Sequence, residues 1–378
     1  MRLAAAVAFW ASAAALAWTQ VGYALALALV RLARGWPPAA GAAQPVQPPP
    51  DVSLIVAAHD EEVVIAGKVA NALALDWPRD RLEIVVAVDG ATDATAASAR
   101  AAGADVVLDL PRGGKVRAQD AGVRAARGDL LAFSDANALW ERDALARLVE
   151  AFADPRAGYA CGRLHFVSDV GTNQEGVYWR YELWQREHES SLVSITAGNG
   201  AIYAVRRAAY LEGDPRTSHD LALPHRLLRA GWLARYQPAA HAWEKMVPSV
   251  EGEWARKRRM MRHAWPAIAG GGLLSPRGLP PLYAAMVVSH RGLRYSTPLL
   301  HAVFAAASLA RLGTRSGRAA ALAQALVAGA AWAGGRRRAR PLLLARYYVL
   351  TTASIAAGLY DWLRHGTPAE WEAAEGTR

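Results

Sequence analysis

Hydrophobic and polar positions alternate along this chain on three scales, and each scale predicts a different kind of element. Residues 4–30 run for 27 positions without a formal charge, more than the roughly 20 residues a helix needs to cross a bilayer. Between 52 and 133, short β-rich runs at 52–56, 82–88, 105–108 and 130–133 alternate with Ala-rich stretches of helical spacing. That alternation predicts an α/β domain with a mostly parallel sheet and crossover helices, whose ligands bind at the carboxyl ends of the strands. Toward the C-terminus, nearly uncharged runs recur at 295–310, 319–335 and 347–360 between Arg-rich connections. They predict three further helices, with membrane spans and a buried helical domain as the competing readings.

A cleavable secretory signal has an apolar core of only about 7–15 residues, so 4–30 reads as an uncleaved anchor. Arg31 and Arg34 follow it and only Arg2 precedes it, which by the positive-inside tendency puts the next segment in the cytoplasm. Six prolines between 36 and 50 exclude helix or sheet interior there and make a semi-rigid spacer. The single cysteine, Cys161, excludes an intrachain disulfide and agrees with a reducing compartment. A net charge of +10 would suit nucleic acid, but the Arg clusters, 336–340 among them, flank apolar runs and lack an interleaved aromatic surface. No nucleic-acid partner is expected; membrane lipid and phosphate ligands account for the charge.

Four polar clusters fall at strand-like edges. They are His59-Asp60-Glu61-Glu62, Asp89-Gly90-Ala91-Thr92-Asp93, Gly113-Gly114-Lys115, and Asp135-Ala136-Asn137. An Asp or Asn after a strand often makes only a turn or a helix cap, and Asp93 is read as the cap of the helix that follows it. A dinucleotide-binding dehydrogenase is the competing α/β reading. It is disfavoured because no Gly-x-Gly-x-x-Gly opens the first helix and the first turn is acidic.

In order and spacing the four clusters resemble the family 2 glycosyltransferases, over roughly residues 50–270. The resemblance implies a GT-A-type sheet, a nucleotide-sugar donor and a divalent cation, Mg²⁺ or Mn²⁺. It implies that Asp89 and Glu61 or Glu62 line the nucleoside pocket, that Lys115 brings charge to the diphosphate or base, and that Asp135 and Asn137 hold the metal. Asn137 departs from the family's second acid and should bind a cation more weakly. Val88 and Asp120 also depart from the pattern, standing where many relatives have Asp and Asn.

Further on, 195–207 resembles the segment that closes the acceptor side, with Gly198, Asn199 and Gly200 allowing close approach of a sugar. Ser218-His219-Asp220 stands where the family supplies its base, and Asp220 is the candidate, with a helix cap as its structural alternative. Arg256-Lys257-Arg258-Arg259-Met260 occupies the place of a Gln-x-x-Arg-Trp motif, keeping Arg259 and lacking the Trp that stacks on an acceptor sugar. Arg258 and Arg259 are expected either to hold the diphosphate or to touch lipid head groups from an interfacial helix.

The expected organisation is an anchor at 1–35, a spacer at 36–50, a GT-A domain at 51–240, an interfacial segment at 241–290, C-terminal transmembrane helices at 291–363 and a tail at 364–378. The expected function is transfer of a sugar from a nucleotide-sugar donor to a glycan or lipid-linked acceptor, by a multi-pass protein of the inner or plasma membrane with its catalytic domain in the cytoplasm. Transfer of one sugar to a polyprenyl phosphate and an inactive scaffold of the same fold are the alternatives.

Overall fold

The computed structural model describes residues 2–35, 46–167, 175–246, 250–337 and 339–370. Most of the expected spacer, Arg338 of the basic cluster and the end of the tail lie outside the described residues. The chain opens with α1 (Arg2–Ala17), a π-helical turn (Trp18–Gly22) and α2 (Tyr23–Ala33), which together make one 32-residue helix. Next come β1 (Val52–Ala58), α3 (Glu62–Leu73), β2 (Leu82–Asp89), α4 (Thr95–Ala101), β3 (Val106–Leu110), α5 (Lys115–Ala125) and β4 (Leu130–Asp135). After β5 (Leu139–Trp140) and α6 (Ala144–Glu150) follow β6 (Ala157–Val167), α7 (Glu175–Leu192), β7 (Tyr203–Arg206), α8 (His219–Arg229) and β8 (Leu233–Lys245).

The eight strands form one sheet in the order β3-β2-β1-β4-β7-β6-β8-β5. Strands β1 to β4 are mutually parallel and β6 pairs parallel with β8, while β7 and β5 run against their neighbours. The mostly parallel sheet with crossover helices is therefore observed. Every residue of β1 and β2 is buried, as expected for central strands covered on both faces. Leu54 and Ile84 pack into the core on one face with Trp140, Leu145 and Leu148; their neighbours Ile55 and Val85 pack on the other with Phe133, Tyr159 and Tyr203. Strand order reverses between β1 and β4, so the crevice at their carboxyl ends is where a doubly wound sheet receives its ligand. Ala57 pairs with Asp135 across that switch point.

The rest is helical. It comprises α9 (Val250–Ala269), then α10 (Pro281–Val287), a second π turn (Val288–Gly292) and α11 (Leu293–Tyr295), and finally α12 (Thr297–Ala310), α13 (Arg315–Ala333) and α14 (Arg340–His365). The three expected C-terminal helices are α12 to α14. Among the described residues two helices are long and apolar enough to cross a membrane, Arg2–Ala33 and Arg340–His365, while Thr297–Ala310 is apolar but only 14 residues long. Helix α9 packs tightly on α14: a Cβ on Gly358 would lie 2.6 Å from Met261 Cβ. A third core, including Tyr23, Leu27, Ala264, Tyr283 and Ile355, joins these helices to α8.

Candidate active site

The loops at the carboxyl ends of β1, β2 and β3 are tied to one another by hydrogen bonds. His59 Nδ1 lies 2.7 Å from the Asp89 carbonyl, and Asp60, in the left-handed region at φ 51°, accepts the Thr92 N–H at 2.7 Å. Glu61 is buried and its N–H donates to Thr95 Oγ1 at 2.7 Å. The Glu62 carboxylate accepts the Ala94 N–H at 3.0 Å, while Asp93 accepts the N–H groups of Thr95 and Glu62 at 3.0 and 3.1 Å. These two acids thus tie the starts of α3 and α4 together and satisfy backbone N–H groups at both. Asp89, 1% exposed, accepts the Gly113 and Gly114 N–H groups at 2.6 and 3.0 Å and meets Arg112 at 3.4 Å. Its carboxylate shapes the loop that launches α5, and Gly114 enters that helix at φ +94°.

The first side chain of α5 is Lys115, and its ammonium forms an ion pair with Asp135 at the end of β4. Burial disfavours the charge of Lys115, but Asp135 first, then Asp220 and Glu244, more than offset this and raise its pKa. Three carboxyl groups therefore lie within electrostatic reach of this one ammonium. Asp220 reaches it from the first turn of α8, where its Oδ1 also accepts the Leu221 N–H at 3.1 Å. Glu244 reaches it from the end of β8 and accepts the Asn137 side-chain N–H at 3.1 Å. Burial, then the like charge of Asp135, push the Glu244 carboxyl up to about 7. Below the cluster, Lys68 is fully buried, donates to the Ala138 carbonyl at 2.7 Å and is lowered to about 7 by burial.

The three expected acceptor-side residues play different parts. A Cβ on Gly200 would sit 3.4 Å from Lys115 Nζ and 3.7 Å from an Asp135 oxygen, so this glycine faces the charged cluster. A Cβ on Gly198 would sit 2.0 Å from the Tyr159 hydroxyl, so its missing side chain serves packing. Asn199 turns inward, donating to the Gly162 carbonyl at 2.8 Å and accepting the Ile202 N–H at 2.9 Å. The Gly198 N–H donates to the Asp220 carbonyl at 2.7 Å and ties the segment to α8.

Residues 53–213 match the family model described as Glycosyl transferase family 2. This segment is a family 2 glycosyltransferase domain. The chain is 27% identical over 232 residues to the probable glycosyltransferase YdaM of Bacillus subtilis, covering 56% of this chain and 55% of that one. It is 34% identical over 169 residues to the beta-monoglucosyldiacylglycerol synthase of Synechocystis, covering 40% and 33%. It is 23% identical over 221 residues to the poly-beta-1,6-N-acetyl-D-glucosamine synthase of Staphylococcus aureus, covering 55% and 53%. The chain thus spans about half the length, or less, of these curated relatives. A solved structure of the mannosyltransferase PcManGT from Pyrobaculum calidifontis, in complex with GDP-Man and Mn²⁺, superposes with a TM-score of 0.73 at 24% identity, over 95% of this chain and 99% of that one. The fold is therefore GT-A-like.

Within the glycosyltransferase domain and its flank, the structure gathers Lys115, Asp135, Asn137, Gly200 and Asp220 into one crevice. Asp89 and Glu61, both buried, lie in the neighbouring loops after β2 and β1. Arg258 does not join them: on α9 its guanidinium pairs with Asp361 of α14 at 2.6 and 2.7 Å, so its charge secures a helix contact instead of reaching the crevice. Arg259 lies beside it on the same helix. Sequence reasoning missed Glu244 and Lys68. A single Glu near a strand end carries no motif, and a lysine in an Ala-rich helix reads as solvated. The one available signal for Glu244 was its place in an alternating run, inward-facing like Ala242.

Asp135 and Asn137 offer side-chain oxygens, which suit Mg²⁺ or Mn²⁺. Among the described residues no group of three or more His, Cys, Asp or Glu is arranged to hold a metal. One carboxylate and one amide fit such a cation when a diphosphate supplies further oxygens.

Proposed function

We propose that this chain is a membrane-anchored inverting glycosyltransferase that moves a sugar from a nucleotide-sugar donor to a glycan or lipid-linked acceptor in the synthesis of exopolysaccharide or cell-envelope glycan. The Lys115–Asp135 ion pair at the switch point of the sheet, with Gly200 facing it and Asp220 tied to the same segment through Gly198, carries this reading. In it, Asp89 and Glu61 border the nucleoside and Lys115 meets the diphosphate as a point charge. A divalent cation held by Asp135 and Asn137 would neutralise the departing nucleoside diphosphate. Asp220 then takes the acceptor proton while the hydroxyl oxygen bonds to the anomeric carbon and the bond to the diphosphate breaks on the opposite face.

His219, next to the base, is held neutral: burial first, then Lys115, lower it to about 3. Its Nδ1 lies 3.1 Å from the Tyr203 hydroxyl, so it supports α8 and leaves the proton to Asp220. Met260, 45% exposed, stands where an acceptor-stacking Trp is expected; that favours a short or lipid-linked acceptor over a long chain threaded through a channel. With Arg2–Ala33 and Arg340–His365 as its spans, the protein would sit in the inner or plasma membrane with residues 51–240 on the cytoplasmic side, and α9 at the interface. α12 and α13 would complete a multi-pass C-terminal region.

The deciding experiment is nucleotide-sugar turnover by purified protein, screened across UDP- and GDP-sugars with and without Mn²⁺. Cation-dependent release of nucleoside diphosphate from one donor class is expected; no turnover of any donor would overturn the reading. A tag near Gln47 shielded from external protease in intact cells would support the orientation.

A further inference from the structure

The acceptor-side segment is held from behind by a buried polar cluster that the proposed chemistry does not use. Its centre is Glu189 on α7, with no exposed surface. One oxygen accepts the Tyr23 hydroxyl at 2.5 Å and faces His290 Nδ1 at 2.6 Å. The other accepts both the N–H and the hydroxyl of Thr196, at 3.0 and 2.9 Å. Arg291 donates to the same Thr196 hydroxyl at 3.0 Å, and Tyr283 donates to the neighbouring Ile195 carbonyl at 3.1 Å. All six side chains apart from Ile195 are polar, and all are buried.

Three of these groups lie in or beside distorted helix. Tyr23 follows the π turn Trp18–Gly22, and His290 and Arg291 lie within the π turn Val288–Gly292. The two turns touch, with Trp18 Nε1 donating to Ser289 Oγ at 3.1 Å. A π turn inserts a residue and re-aims the side chains around it, a feature frequent at functional sites. Here the re-aimed groups meet on Thr196. Four residues on, the same segment presents Gly200 to the Lys115–Asp135 pair. Between them, Gly198 donates to the Asp220 carbonyl at 2.7 Å and accepts from Arg186 at 2.9 Å.

We infer that Glu189 is a positioning residue for the acceptor: with Tyr23, His290 and Arg291 it fixes the 195–200 segment against α8, so that the N-terminal helix and the paired π turns set how an acceptor hydroxyl meets Asp220. This rests on the glycosyl-transfer reading. Donor hydrolysis, in which water replaces the acceptor, needs the nucleotide loops and not this segment. Transfer needs both. The cluster should therefore separate two activities that ordinary loss of folding would lower together.

The test uses full-length protein in native membranes, with the radiolabelled UDP- or GDP-sugar that it turns over fastest. Label incorporated into membrane-extractable or acid-insoluble product measures transfer, and free labelled sugar measures hydrolysis. Tyr23→Phe, which removes one hydroxyl, should lower transfer about tenfold, and Glu189→Gln should lower it on the order of 10²-fold, the scale of a small misplacement of reacting groups. Hydrolysis should stay within about twofold of wild type in both. Tyr23→Phe keeps the question open to refutation should Glu189→Gln fail to fold. Transfer unchanged in Tyr23→Phe, or transfer and hydrolysis falling in parallel, would overturn the proposal. A wild-type protein that consumes no nucleotide sugar would instead overturn the reading beneath it.

Discussion

The two ends of the crevice, the loops after β1 and β2 where we place the nucleotide and residues 195–200 where we place the acceptor, are built by different means. At the nucleotide end, each loop follows a parallel strand and is secured by short-range links between adjacent loops: Asp89 to Gly113 and Gly114, Asp60 to Thr92, Glu62 to Ala94. At the acceptor end, residues 195–200 have no such neighbour. They are fixed by Glu189 on α7, seven residues before Thr196, and by Tyr283 and Arg291 from helices much further along the chain. The first end can therefore form with the sheet alone, whereas the second depends on α2, α7, α10 and the π turn that carries His290 and Arg291. Asp220 stands between the two, its carboxylate in the field of Lys115 and its backbone carbonyl bonded to Gly198.

That intermediate position makes Asp220→Asn the sharpest test. The amide keeps the size and the α8 contacts but cannot take a proton, so turnover should fall by roughly 10²- to 10⁴-fold. Nucleotide binding, measured by titration with UDP or GDP, should stay near wild type. Unchanged turnover would remove Asp220 from the role of base. Gly198→Ala probes the acceptor end by volume: the added Cβ would meet the Tyr159 hydroxyl at 2.0 Å. An overpacking cost of about 1–3 kcal/mol should lower the thermal midpoint and transfer, with nucleotide binding retained. A loss of nucleotide binding of the same size would erase the distinction between the two ends.

The same contrast explains what could be read in the sequence. β1, β2 and β4 were legible because strands buried on both faces must be continuously apolar, and the polar residues that stop them mark the ligand edge. The opposite half was less so. β6 and β8 carry His165, His241 and Trp243, which stack on one another, and so their periodicity is blurred. Arg258 reads from sequence as either a diphosphate ligand or a lipid contact because its partner, Asp361, lies 103 residues away. Glu62 looked like a pocket acid because its use in bracing α4 depends on the approach of a second loop. Glu244 and Lys68 were invisible for the converse reason, since only the fold brings them beneath Asp135-Ala136-Asn137.

Lys68 offers a test confined to the nucleotide end. Burial lowers its pKa from the ordinary 10.5 to about 7. Between those values the native protein has released a proton that the unfolded chain still holds, so stability should rise with pH across that window. One proton sets an upper slope of about 1.4 kcal/mol per pH unit. Lys68→Met should flatten this dependence in thermal unfolding followed from pH 6.5 to 9.5. An identical pH profile in both proteins would mean that the buried ammonium is not what titrates.

The smallest expected effect concerns the metal, and it is the one that separates Asn137 from Glu244. An Asp at 137 offers a cation more charge than the amide does, which predicts tighter Mn²⁺ binding. Its neighbour works against this. The Asn137 side-chain N–H is bonded to Glu244, whose carboxyl is already pushed up to about 7 by burial and by Asp135. A third carboxylate there replaces that hydrogen bond with repulsion and favours uptake of a proton by the pair. Asn137→Asp alone should therefore tighten Mn²⁺ only a few-fold, whereas Asn137→Asp combined with Glu244→Gln should tighten it further, because the new acid then keeps its charge and regains an amide partner. Mn²⁺ titration followed by electron paramagnetic resonance, with and without UDP, reads this without reference to turnover. Equal affinities in wild type and in both variants would mean that the cation is held by the diphosphate and Asp135 alone, leaving Asn137 and Glu244 to shape the end of β8.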